Sequence, residues 1–115
     1  MKLPNHEQAL VPQQKITGYL LSFTHRDGRS KAVFFTRFGF SVAAWEQFAE
    51  ALRQHAANHD VVVIEDTPFG TSYAVEGALA TPGGRMPWVR VVWFIDAGQT
   101  FPRLVTAYPL RGGDG

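Results

Sequence analysis

The chain has 115 residues, of which 45% are hydrophobic, so its composition predicts one globular domain and excludes a largely disordered protein. A net charge of +1 does not by itself indicate a nucleic-acid partner, and no apolar run is long enough to span a membrane. Cysteine is absent, which excludes disulfides and fits a reducing cytoplasm. We therefore expect a single cytoplasmic domain over residues 1–110, followed by a flexible tail at residues 111–115.

The first half of the chain has helical periodicity. Apolar residues recur at helical spacing from Pro12, which suits a first helical position, to about Phe23. Ser30 is the expected N-cap of a second helix, which Gly39 should end. Ser41 is expected to cap a third, longer helix with an apolar side formed by Val42, Trp45, Phe48, Ala49, Leu52 and Ala56.

The second half has the composition and alternation of β-strands. Residues 61–64 are a β-branched run, and residues 72–95 are predicted to form a hairpin around the turn sequence Thr-Pro-Gly-Gly at 81–84. A last strand is expected over residues 103–108. The order of elements predicts an α+β fold, with two or three N-terminal helices packed on a four-stranded antiparallel sheet.

A basic loop, residues 25–31, separates the first two predicted helices. It contains His25, Arg29 and Lys31, and the N-terminal backbone N–H groups of a helix that begins at Ser30 would point into the same region. Such a loop can hold a phosphate, with His25 placed to donate or accept a proton. The alternative is a solvated connector whose charges have no further role.

The last strand carries a second group of polar residues. Alternation places Thr106 and Tyr108 on one face, with Arg103 on the other unless a bulge intervenes. These side chains can position a phosphodiester and stabilise its developing charge without a metal. Alternatively, Tyr108 is a core aromatic with its hydroxyl at the rim.

Two further features have both a functional and a structural interpretation. His55 and His59 have the spacing that presents two imidazoles to one metal, but no third ligand is evident, and a histidine near a helix C-terminus also favours the helix dipole. Trp88 and Trp93 fall on opposite faces of one strand, so one of them is free to stack on a base or to lie under the N-terminal segment. We expect neither a metal nor a cofactor.

The chain also resembles a known group of proteins. Residues 15–22, Lys-Ile-Thr-Gly-Tyr-Leu-Leu-Ser, together with His25, Gly28 and the turn at 81–84, are similar to an uncharacterised family of small bacterial domains of unknown function. The strand Pro-Arg-Leu-Val-Thr-Ala-Tyr-Pro at 102–109 extends this likeness over nearly the whole chain. Members of the family occur alone or at the C-termini of phage-like and toxin-like proteins.

A looser resemblance implies an activity. Helices followed by a four-stranded sheet with a closing Arg-x-x-Thr-x-Tyr strand look like RNase toxins of the barnase, EndoU, colicin and RelE type. This likeness implies a metal-independent ribonuclease-like toxin or toxin-derived effector that acts on RNA. A small cognate inhibitor protein is a further expected partner.

The resulting hypothesis assigns a role to each candidate residue. We expect His25 to act as general acid or base, Lys31 and Arg103 to stabilise phosphate charge, and Thr106 and Tyr108 to position the substrate. The residues expected to contribute to binding are Arg29, Ser30, Tyr73 and Trp93. The alternative is a non-catalytic interaction module that binds a protein or an anionic partner through the basic loop.

Overall fold

Three helices precede a four-stranded antiparallel sheet in the computed structural model, which describes residues 1–110. This order confirms the predicted α+β class. The predicted tail at residues 111–115 lies outside the described residues. Among residues 1–110, no helix has the length and apolar composition needed to cross a membrane.

The first helical segment changes its hydrogen-bonding pattern along its length. It begins as a single α-helical turn, α1, Gln13–Lys15, and continues as a π-helical turn, Ile16–Leu20. The backbone N–H of Leu21 closes this wider turn on the carbonyl of Ile16 at 2.8 Å. The segment ends earlier than the predicted limit at Phe23, and it buries Ile16 and Leu20 in the core. Single π-helical turns occur frequently at functional sites.

The second helix, α2, spans Arg29–Arg37. Its N-cap is Gly28, and Ser30 lies exposed inside the first turn, so the expected role of Ser30 as the cap is wrong. The helix cannot start at Ser30 because the preceding loop already brings the backbone into helical hydrogen bonding: the Arg29 N–H donates to the His25 carbonyl at 3.0 Å.

Gly39 ends α2, as predicted. It has a φ of +102°, a left-handed conformation in which a side chain would be strained. The N–H of Phe40 donates to the Phe35 carbonyl at 3.3 Å, and that of Gly39 donates to the Thr36 carbonyl at 3.0 Å. These two hydrogen bonds are the Schellman pattern, which satisfies the last carbonyls of a helix.

The third helix, α3, spans Trp45–Asn58 and begins later than expected. The Ser41 hydroxyl accepts a hydrogen bond from the Ala44 N–H at 3.2 Å, so it closes the turn before the helix and does not cap the helix itself. Val42 therefore lies outside α3 and is 47% exposed, contrary to its predicted place on the apolar side. The predicted apolar positions at 48, 49, 52 and 56 are buried.

The strands lie in the sheet in the same order as in the sequence: β1, Val61–Thr67; β2, Gly70–Ala78; β3, Trp88–Asp96; and β4, Arg103–Pro109. The antiparallel pairing of β2 with β3 confirms the predicted hairpin. Alternate residues of β3, Val89, Val91 and Trp93, are fully buried and belong to the same hydrophobic cluster as α2 and α3. Trp88, on the other face, is 39% exposed.

A β-bulge interrupts the regular alternation of β4. Val92 pairs with Thr106, whereas the next residue of β3, Trp93, pairs with Leu104, so β4 contains one additional residue at this point. As a result Arg103, opposite Phe94, and Tyr108, opposite Arg90, lie on the same face of the sheet. Simple alternation would have placed Arg103 on the other face from Tyr108, and the bulge is what puts both residues on one face.

The aromatic cluster in the core should dominate the stability of the fold. The Phe48 ring lies 4.4 Å from that of Phe40 and 4.7 Å from that of Phe35, and it is fully buried. We expect Phe48→Ala to lower the free energy of unfolding in urea by about 3–5 kcal/mol. The control Val42→Ala should change it by less than about 0.5 kcal/mol, because Val42 is exposed. Similar effects of the two changes would contradict this packing.

Candidate functional site

A groove of about 640 Å³ lies between the first helical segment, the basic loop and β4. It is lined by residues from both ends of the chain: Pro12, Gln14, Lys15, Gly18, Tyr19, His25, Asp27, Val105 and Thr106. Of the five expected catalytic residues, His25 and Thr106 line this groove; Lys31 is not a lining residue, but its ammonium lies 5.6 Å from the centroid of the Tyr19 ring.

Tyr19 lies at the centre of the groove. Its hydroxyl is 2.9 Å from the hydroxyl of Thr106, so one side-chain hydrogen bond joins the π-helical turn to the bulge region of β4. The Tyr19 ring is half-buried and meets the His25 ring edge-on, with centroids 4.9 Å apart. The hydroxyl pair and the imidazole therefore face the same open space.

The His25 side chain also organises the backbone of the basic loop. Its Nδ1 accepts hydrogen bonds from the N–H groups of Asp27 at 2.9 Å and Gly28 at 3.0 Å. Because Nδ1 is an acceptor for both, the neutral ring carries its proton on Nε2. No hydrogen-bond partner of Nε2 is found in residues 1–110, so His25 offers the groove an N–H donor.

Two lysines flank the Tyr19 ring. The Lys15 Nζ lies 5.3 Å from the ring centroid and the Lys31 Nζ lies 5.6 Å from it, both within cation–π range. The Lys31 ammonium also donates to the Asp27 carbonyl at 3.0 Å. The groove thus combines the ammonium of Lys15, the carboxylate of Asp27, an imidazole N–H and two hydroxyls, with the Lys31 ammonium beside the Tyr19 ring.

Gly28 permits the close approach of the loop to Tyr19. A Cβ at this position would lie 2.0 Å from the backbone oxygen of Tyr19, which is an impossible contact. Glycine is therefore required for the basic loop to fold back on the π-helical turn.

The other two expected catalytic residues lie elsewhere. The Arg103 guanidinium makes two hydrogen bonds to the Asp96 carboxylate, at 2.8 and 3.1 Å, and the same guanidinium holds the pKa of Asp96 below its usual value. Tyr108 is opposite Arg90, which is ion-paired with Glu76. Neither Arg103 nor Tyr108 lines the groove.

The four residues expected to contribute to binding are dispersed. Arg29 and Ser30 are exposed on the first turn of α2, and Tyr73 is half-buried against the core. Trp93 has no exposed surface, so it has no face on which a base can stack. Of the two tryptophans on β3, Trp88 is the exposed one.

The sequence analysis missed Tyr19 and Lys15 as site residues. The available signal was their i, i+4 spacing, which places a cation beside an aromatic ring on one helical face. It was missed because Tyr19 also fits the apolar periodicity of the first helix, and because its partner Thr106 lies 87 residues away.

Comparison with family models places residues 2–111 in a group described as domain of unknown function (DUF6883). The chain belongs to the DUF6883 family. This match confirms the predicted membership of a family of domains of unknown function. A search of curated protein sequences gives no match to the DUF6883 domain described here.

A solved structure shares the fold of this DUF6883 domain. It is a chain of a contact-dependent growth inhibition toxin–immunity protein complex from Klebsiella pneumoniae 342, with a TM-score of 0.67 and 17% sequence identity. The alignment covers 87% of the DUF6883 chain and 98% of the Klebsiella chain. At this identity the likeness establishes a common fold.

His55 and His59, which were considered above as a pair of metal ligands, connect α3 to the end of β2. The His55 Nε2 bonds the Gly77 carbonyl at 3.1 Å, and the His59 Nε2 bonds the Ala78 carbonyl at 2.9 Å. Residues 1–110 contain no group of three His, Cys, Asp or Glu side chains that could hold a metal ion. The observed role of the pair is to attach the helix to the sheet.

Burial of His55 should make the DUF6883 domain less stable in mild acid. Burial, with a smaller effect from the nearby His59, lowers the pKa of His55 from 6.5 to about 4. Between these values the unfolded chain binds a proton that the folded protein does not, so the free energy of unfolding falls as the pH falls. From pH 7.5 to pH 5 the loss should be roughly 2 kcal/mol, measured by urea unfolding.

The matched variant is His55→Gln, which keeps an N–H donor for the Gly77 carbonyl but does not titrate. Its stability should fall less over the same pH range than that of the wild type. Parallel pH dependence of the two proteins would show that His55 is not the responsible group.

Proposed function

We propose that this DUF6883 domain is a metal-independent ribonuclease-like domain of the toxin type, which acts on RNA phosphodiesters in the groove around Tyr19. The observation that supports the proposal is the meeting of two lysine ammoniums, the Nε2–H of His25 and the Tyr19–Thr106 hydroxyl pair in one open groove. The fold shared with a chain of a toxin–immunity complex agrees with a toxin-related role.

The positive groups and N–H donors in the groove would bind the phosphate. The ammoniums of Lys15 and Lys31 lie 5.3 and 5.6 Å from the centroid of the Tyr19 ring, so both would add positive potential near a phosphate bound beside that ring. The Nε2–H of His25 would donate to a non-bridging oxygen. Donors fixed in advance around an oxyanion stabilise the extra negative charge that develops on the non-bridging oxygens during transfer.

The hydroxyl pair would serve the proton transfers. When the ribose 2′-hydroxyl attacks the neighbouring phosphorus, that hydroxyl loses a proton and the leaving 5′-oxygen gains one. Tyr19 and Thr106, hydrogen-bonded at 2.9 Å, can take up a proton at one oxygen while releasing one from the other. In this assignment His25 is a donor to phosphate, and its expected acid–base role passes to the hydroxyls.

A second candidate function is a non-catalytic module that binds an anionic partner in the same groove. The observation that favours it is that the His25 Nδ1 accepts hydrogen bonds from two backbone N–H groups. A proton on Nδ1 would break both bonds, so the arrangement disfavours a role for His25 as a catalytic base. In this tautomer Nε2 already carries a proton, so it can donate a hydrogen bond to an anion but has no free lone pair with which to act as a base. Cleavage of RNA distinguishes the two functions.

Other parts of the proposal concern the setting in which the domain acts. We propose the cytoplasm as its site of action, since that compartment holds RNA. A cognate inhibitor protein is a further proposed partner, by analogy with the toxin–immunity complex that shares the fold.

The decisive experiment is cleavage of end-labelled single-stranded RNA in the presence of EDTA. We expect the wild-type protein to cleave it, and an oligonucleotide with 2′-deoxyribose throughout to remain intact, because the attacking hydroxyl is missing. Tyr19→Phe should lower kcat/KM by about 100-fold or more, since it removes one hydroxyl of the proton-transferring pair.

His25 can be tested without disrupting its loop. In His25→Asn the amide oxygen replaces Nδ1 as acceptor for the Asp27 and Gly28 N–H groups, but no donor replaces Nε2. Activity should fall by about 100-fold with little change in stability, whereas His25→Gln, which restores a donor near Nε2, should recover part of it. The control Arg37→Gln changes an exposed cation outside the groove and should have no effect.

Absence of RNA cleavage, with binding that still depends on Lys15 and Lys31, would favour the non-catalytic module. Cleavage that is unaffected by Tyr19→Phe and His25→Asn would contradict the proposed site.

A further inference from the structure

The outer edge of β1 is a surface that contributes no residue to the groove. β1 pairs only with β2 and forms one edge of the sheet. Its apolar side chains are unusually exposed: Val62 is 52% exposed, Val63 is 40% and Ile64 is 50%. Phe69, in the turn that follows β1, is 79% exposed. Exposed apolar residues grouped on an edge strand typically mark an interaction site.

The backbone of this edge is also free. The Met1 carbonyl accepts the Val61 N–H at 2.7 Å, but within residues 1–110 no other backbone hydrogen bond is made by residues 62–67 beyond those to β2. The opposite edge differs, because Leu10 bonds to the Pro102 carbonyl and the Leu104 N–H at the start of β4. The β1 edge therefore offers an open row of donors and acceptors along residues 62–67, whereas the first residues of β4 are already bonded to Leu10.

The two halves of this edge differ in charge. Glu65 and Asp66 follow the apolar residues, and no ion pair to either is found in the described part of the chain. Their neighbours on β2 are Ser72 and Thr71, which supply no positive charge. The edge is thus apolar in its first half and acidic in its second half.

We propose that the β1 edge binds a β-strand of a partner protein, which adds to the sheet as a fifth strand and carries Lys or Arg opposite Glu65 and Asp66. Backbone hydrogen bonds would supply affinity, and the charges would select the partner and its direction. A second copy of this chain fits less well. Antiparallel pairing of two β1 strands about Ile64 would place Val63 opposite Glu65 and leave every carboxylate without a cation.

The proposed interaction is independent of the function proposed for the groove. β1 and β4 form opposite edges of the sheet, and three strand spacings separate them by about 14 Å. The groove lies on the β4 side, at Val105 and Thr106. A partner strand on β1 therefore leaves the groove open.

Two synthetic nine-residue peptides test the proposal with the 115-residue chain. Both carry valine opposite the apolar residues 62–64, and opposite Glu65 and Asp66 one carries two lysines and the other two glutamates. By ¹⁵N–¹H NMR we expect the lysine peptide to shift the amides of residues 62–67 and to slow their hydrogen exchange, while the His25 signals stay unchanged. It should bind at least about tenfold more tightly than the glutamate peptide at low salt.

The charge-reversed variant Glu65→Lys/Asp66→Lys should prefer the glutamate peptide. The control variant Glu7→Lys/Glu46→Lys has the same net charge but alters sites away from β1, and it should keep the wild-type preference. Equal binding of the two peptides by wild type, or shifts outside β1, would overturn the proposal. Sedimentation of the wild type as a dimer that the β1 charge reversal disrupts would also overturn it, in favour of a second copy.

Discussion

The hydrogen bond between the hydroxyls of Tyr19 and Thr106 is the interaction on which the groove depends. It joins two segments 87 residues apart and fixes the π-helical turn against the bulge of β4. The same Tyr19 ring also contacts the His25 imidazole edge-on and lies within cation–π distance of the two lysine ammoniums.

The imidazole of His25 shows how one side chain can serve both fold and site. Its Nδ1 accepts two backbone N–H groups of the basic loop, which lets α2 begin at Arg29 without a side-chain cap. The same bonds direct the ring proton to Nε2 of a side chain that lines the groove. This arrangement limits acid–base catalysis by His25, because its Nδ1 is already occupied as a hydrogen-bond acceptor.

The fold could be predicted from the sequence where local chemistry decides the structure. Gly39 ends α2 because it adopts a left-handed conformation, and the turn at 81–84 joins two strands whose alternation was evident. The site could be predicted only in part. His25, Lys31 and Thr106 were identified from their residue types, but their grouping around Tyr19 depends on a π-helical turn and a β-bulge.

Neither of those irregular features has a signature in the sequence. Each adds one residue to a regular element, and tertiary packing, not local propensity, decides where that happens. The expectation for Arg103 failed to anticipate an ion pair with a residue only seven positions earlier. Its guanidinium found a carboxylate, Asp96, at the start of the same hairpin connection and lies with it outside the groove lining.

The two edges of the sheet have different properties. The start of β4 is bonded to Leu10, and Val105 and Thr106 line the groove, whereas β1 is apolar and acidic and has no outer backbone partner at residues 62–67 within the described part of the chain. The anionic ligand and the partner strand proposed above would therefore bind at opposite edges of the sheet.

The central claim is tested most directly by the ¹⁵N spectrum of the His25 ring, recorded with and without a single-stranded DNA oligonucleotide. The DNA supplies phosphodiesters that cannot be cleaved, because it lacks the 2′-hydroxyl. We predict that the free protein carries the ring proton on Nε2, and that the oligonucleotide shifts Nε2 together with the amides of Tyr19 and Thr106. A proton on Nδ1 in the free protein, or shifts at Arg103 and Tyr108 with none at His25, would contradict the account.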